Sequence, residues 1–144
     1  MKKTLLVVCV LLVALILGSF ANMGLIIMGG KLIPPPPGAN VLTMEGLKAS
    51  IHLFQAQHFL FPFLAHAIGT LVAAFFVAWM MPTKNGLFTA IVGACFFLGG
   101  LLNAIYIPAP VWFIALDLLC AYFPMAWLGF KLSPKPYFVS KSAV

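Results

Sequence analysis

The chain has no arginine, and a single aspartate and a single glutamate stand against eight lysines. Charged residues make up only 7% of its 144 positions. Soluble domains carry about 25%, so this scarcity excludes a soluble globular class. The lysines are scattered between apolar runs and draw no basic patch, which argues against nucleic-acid binding. The three cysteines, Cys9, Cys95 and Cys120, form no C-x-x-C pair. A dithiol redox motif and a cysteine zinc site therefore have no support. All three fall in apolar runs, where a small packing role is expected. The sequence also lacks a nucleophile motif, a carboxylate pair and a clustered metal-ligand set.

What is present is apolar: hydrophobic residues account for 64% of the chain. A membrane-spanning helix needs about 20 such residues. The apolar runs predict an all-α membrane protein, a four-transmembrane-helix up-down bundle over residues 1–130, with spans at 4–28, 59–81, 87–105 and 111–130. Two lysines and the small-x-small sequence Ser19-Phe20-Ala21 give the first run some likeness to a signal peptide. The run continues through Leu25, Ile26, Ile27 and Met28, so an uncleaved spanning helix is the expectation. Pro82-Thr83-Lys84-Asn85-Gly86 and Pro108-Ala109-Pro110 are tight turns. Pro124 should kink the fourth span. Residues 131–144 read as a basic tail.

The one long connection, 29–57, holds Pro34-Pro35-Pro36-Pro37-Gly38, a stiff polyproline spacer. Beyond it Met44, Leu47, Ile51 and Phe54 recur at helical spacing, with Glu45, Lys48, His52 and Gln55 on the other side. This pattern predicts an amphipathic helix at 43–54 lying in the membrane interface as a lid.

Orientation follows from lysine. If the N-terminus is cytoplasmic, so are Lys2, Lys3, Lys84, Lys131, Lys135 and Lys141, and only Lys31 and Lys48 lie outside. That asymmetry fits the positive-inside rule and puts both termini in the cytoplasm. Trp79 and Trp127 then mark the inner ends, and Tyr106 and Trp112 the outer ends.

Each span carries one residue that lipid tolerates badly: Asn22, His66, Asn103 and Asp117. An ionised aspartate at mid-membrane costs about 2.5–3.5 kcal/mol on insertion scales, so these residues should face the bundle interior. Small residues share their stripes: Ala14 and Gly18 with Asn22; Pro62, Gly69, Thr70 and Ala73 with His66; Cys95 and Gly99 with Asn103; Cys120, Ala121 and Pro124 with Asp117. Such stripes let membrane helices approach closely. At 1.5 Å per residue, Asn22, His66 and Asp117 lie about 9–10 Å below the outer end, and Asn103 about 3–6 Å below it. The expectation is a polar network of Asp117 and His66 ringed by Asn22, Asn103 and Thr70. It serves either as interhelical glue, at about 0.6 kcal/mol per hydrogen bond, or as a ligand or proton site. A metal set of His52, His58 and Glu45 is a weaker alternative, since their spacing is not that of a helical pair. No cofactor is expected: a b-type haem in a four-helix bundle takes axial ligands from facing helices, and only His66 lies within the membrane, so one chain lacks a bis-histidine site and a haem would need a His–Met pair or a site shared in a dimer.

Two stretches, His58 through His66 to Thr70 and Pro108 through Trp112 and Asp117 to Trp127, resemble small bacterial four-helix integral membrane proteins with no assigned activity. The general outline is similar to that of DoxX-like proteins. The resemblance implies this topology and a bacterial cytoplasmic membrane. For function, small size and abundant small-residue faces lead to a structural or accessory subunit that packs against other membrane proteins or against itself. The alternative is a small proton-coupled transporter or lipophilic-ligand-binding protein that uses the Asp117–His66 cluster. An enzyme ranks last.

Overall fold

The computed structural model describes residues 2–81 and 86–134. The Pro82–Asn85 part of the expected turn, with Lys84, and the part of the basic tail holding Lys135 and Lys141 lie outside the described residues. Six α-helices follow in order: α1 Lys2–Leu32, α2 Met44–Ser50, α3 Leu60–Met80, α4 Gly86–Tyr106, α5 Val111–Cys120 and α6 Phe123–Leu132. Among the described residues there is no strand. Among the described residues four segments are long and apolar enough to cross a membrane: Thr4–Leu32, Ala56–Met80, Gly86–Tyr106 and Val111–Leu132. The protein is thus a multi-pass, all-α membrane bundle with its spans running alternately up and down.

Helix α1 is longer than the apolar run alone suggests. Gly29, Gly30 and Lys31 stay helical because Gly29 lies directly on Phe61, where a β-carbon would overlap the ring. The helix ends where Pro34 begins, since proline biases its predecessor away from helix and supplies no N–H. The proline run closes in a turn in which the Ala39 N–H donates to Pro36 O at 3.0 Å and Gly38 sits at φ +85°. Left-handed backbone of that kind favours glycine.

The bundle is organised around α3. Its buried alanines, Ala65, Ala67, Ala73, Ala74 and Ala78, let three partners approach. Against α1 the crossing point is Gly18 on Gly69. A β-carbon on Gly18 would stand 2.6 Å from Gly69 O, and one on Gly69 would stand 2.8 Å from Gly18 O. On the other side Gly129 of α6 nests against Ala74, and Ala126 of α6 fills the space at Gly93 of α4. The helices α1 and α4 hardly touch, so a lateral groove runs between them.

Two of the expected stripes turn out differently. In α4 the buried residues are Thr89, Val92, Gly93 and Gly100, while Cys95, Gly99 and Asn103 are exposed along the groove. In the fourth span Asp117 and Ala121 are buried, whereas Cys120 and Pro124 point outward. Cys9 is exposed as well, so none of the cysteines has the packing role expected of it. A thiol is apolar enough to face acyl chains as readily as a core.

The fourth span is two helices rather than one kinked rod. Pro124 occupies the first turn of α6, where its missing N–H costs nothing. The chain breaks at Ala121–Tyr122, and Tyr122 sits at φ −114°, ψ −81°, outside helical geometry.

Helix α2 is shorter than 43–54 and continues as a 3-10 turn over Ile51–Leu53. The Thr43 hydroxyl caps it, accepting from the Gly46 N–H at 3.0 Å, and Glu45 in its first turn suits the helix dipole. The Asn40 N–H donates to Ser50 Oγ at 2.9 Å, tying the loop to the helix. Leu47, Ile51 and Phe54 pack down onto Phe59 and Phe113, so α2 roofs one end of the bundle.

Candidate functional site

Beneath that roof lies a cavity of about 310 Å³ between α1, α3, α4 and α5. Its upper walls are apolar, from Leu47, Ile51, Phe59, Ile107 and Phe113 among others. At its base stand His66 of α3 and Asp117 of α5. The antiparallel threading of their helices brings to one depth two residues 51 positions apart in sequence.

His66 Nδ1 lies 2.9 Å from both Asp117 Oδ1 and Oδ2. Asp117 is only 4% exposed. Tyr122 completes the group: its hydroxyl donates to Asp117 Oδ2 at 2.7 Å and lies 3.0 Å from His66 Nδ1. The tyrosine itself is buried, with Phe97 set edge-on to its ring at 5.8 Å. Gly100 of α4 makes this possible, because a β-carbon there would overlap the Tyr122 hydroxyl.

The tautomer of His66 follows from its partners. Asp117 receives the tyrosine proton on Oδ2 and Nδ1 on both oxygens, so Nδ1 carries the hydrogen. Nε2 is then a lone-pair acceptor. Among the described residues no protein group hydrogen-bonds to it. A carboxylate behind a histidine fixes the ring's orientation and strengthens the far nitrogen as an acceptor.

The other expected members stand as follows. Thr70 is fully buried, but its hydroxyl donates to His66 O at 2.8 Å, within α3. It therefore supports the helix beside the site and does not join the side-chain network. Asn22 and Asn103 line both the cavity and the α1–α4 groove. Neither carboxamide has a hydrogen-bond partner among the described residues. Both asparagines stand around the pair, facing open space. No group of three metal-ligating side chains gathers among the described residues. His52 and Glu45 are exposed, and His58 Nδ1 instead accepts the Gln55 N–H at 2.9 Å. His58 also lines the cavity near its roof.

Tyr122 is the site residue that sequence reasoning missed. The available signal was its place two residues before Pro124, inside a span whose kink was expected. Fold and site together define a four-span helical membrane protein with a buried Asp–His–Tyr group at the foot of an apolar cavity. No known family, no curated protein and no solved structure matches the chain.

Proposed function

We propose that the chain is a multi-pass protein of a bacterial cytoplasmic membrane that binds a lipophilic molecule between its helices, with the molecule's polar end at His66. One observation carries this reading: an apolar cavity at whose base stands His66, its ring fixed by Asp117 and its second nitrogen without a hydrogen-bond partner among the described residues. Ligand sites combine apolar walls with a few convergent polar groups, and about 300 Å³ is the lower end of their usual size. Interhelical glue alone does not require the pair to open onto a cavity. The lysine distribution supports both termini in the cytoplasm and the cavity in the outer leaflet. The test is purification in mild detergent with an inventory of bound lipophiles, for the wild type and for Ala104→Phe. Ala104 lines the cavity and makes no hydrogen bond to the Asp117–His66–Tyr122 group, so a phenyl ring there should expel the bound molecule. Identical inventories for the two proteins would overturn the proposal.

The accessory-subunit reading keeps one observation in its favour. Helix α1 packs mainly on α3 and exposes Leu5, Leu12, Ile16, Phe20 and Ile27. A partner that stays bound in mild detergent and leaves on polar substitution of that face would favour it.

A further inference from the structure

The cavity and the α1–α4 groove are continuous in their lining. Asn22, His66, Gly100 and Asn103 belong to both. The groove, about 640 Å³, is walled by Leu15, Met23, Phe96 and Leu102. Leu102 and Met23 are exposed on its flanks, so it opens through the side of the bundle, where the acyl chains of a bilayer would lie. The polar site is thus reached sideways, between two helices that barely touch.

The chemistry at that junction narrows the occupant. Among the described residues no lysine lines either space. An anionic head, whether phosphate or carboxylate, would meet no lysine at the foot of the cavity and would face Asp117, with His58 away near the roof. A cationic head would find the Asp117 oxygens already holding His66 and Tyr122. A neutral head remains. His66 Nε2 needs a donor, because Nδ1 already holds the ring hydrogen. The Asn22 and Asn103 carboxamides each offer two N–H groups and an oxygen. A hydroxyl donates to Nε2 and accepts from an amide at once, whereas a ketone, ester or ether cannot donate.

We infer that the site takes an uncharged lipophile headed by a hydroxyl group, loaded from the bilayer through the gap between α1 and α4. This inference rests on the lipophile-binding reading above and specifies its ligand. A site built to hydrogen-bond a hydroxyl discriminates against the analogue that lacks it, because the histidine nitrogen is then left unpaired.

The experiment uses the purified full chain in bilayer nanodiscs and three photoactivatable probes on one long alkyl skeleton: the alcohol, its methyl ether and the carboxylic acid. The alcohol should label residues of the cavity or groove about five- to tenfold more than the ether, the range one net hydrogen bond supplies. The acid should label no better than the ether. In His66→Phe, which keeps an apolar ring, alcohol and ether should label equally. The wild-type ratio decides the matter even if that variant fails to fold. Equal labelling by alcohol and ether, or labelling led by the acid, overturns the hydroxyl assignment while lipophile binding stands. Labelling by none of the three removes both.

Discussion

Replacing His66 by alanine leaves the Asp117 carboxylate buried, with Tyr122 as its only remaining donor among the described residues. Taking the Nδ1–H donor away from a buried carboxylate costs about 1.5–3 kcal/mol, because the charge is left short of a partner. The packing of the imidazole is lost with it, so His66→Ala should sit at the upper end, about 3 kcal/mol. The opposite change is milder. In Asp117→Asn a neutral carboxamide keeps the shape and still accepts a hydrogen bond, and the Tyr122 hydroxyl remains within 3.0 Å of His66 Nδ1. A loss of about 1 kcal/mol is expected there, the size of one or two membrane hydrogen bonds. The decisive comparison is the double variant. It has the same missing imidazole as His66→Ala but no carboxylate, so the difference between the two isolates the stranded charge. The double variant should be more stable than His66→Ala by about 2 kcal/mol. Reversible SDS unfolding in bicelles, followed by tryptophan fluorescence, measures all four proteins. A double variant no more stable than His66→Ala would refute the reasoning.

Three further outcomes are expected. Gly18→Val places a side chain where a β-carbon alone meets Gly69 O at 2.6 Å, whereas at Gly24 nothing lies within 4 Å. The first should lose about 1–3 kcal/mol in the same unfolding assay and Gly24→Val should lose almost none, so equal losses would remove the Gly18–Gly69 crossing. Tyr122→Phe should lose about 1 kcal/mol for its hydroxyl, while Tyr106→Phe, on an exposed side chain, should change the unfolding midpoint by less than about 0.5 kcal/mol. In a cysteine-free background, a membrane-impermeant thiol reagent added to intact cells should modify Lys48→Cys and spare Lys131→Cys; the reverse pattern would invert the proposed orientation.

The spans were legible because about 20 apolar residues in a row have few other uses. Asp117 and His66 were legible because ionisable side chains in such runs are expensive, and antiparallel threading fixes their relative depth. Which face of a helix meets its neighbour was harder to read. Gly99 and Gly100 are adjacent and lie about 100° apart around the helix. Sequence could not say which one receives a partner; the ring of Tyr122 lies against Gly100.

Tyr122 was hidden for a related reason. Five residues along an unbroken helix turn a side chain by about 500°, which leaves Tyr122 about 140° away from Asp117. On one continuous fourth span the two could not meet. The interruption at Ala121–Tyr122 swings the phenol back onto the carboxylate. Proline at 124 permits that interruption at little cost, since a helix beginning at Phe123 has no use for the N–H that proline lacks. With Tyr122 and Nδ1 both turned toward Asp117, the pair is satisfied within the protein, and Nε2 is left as an acceptor without a partner among the described residues. A straight fourth span would give a pair of polar residues holding two helices together; the broken one gives a histidine oriented toward whatever enters beside it.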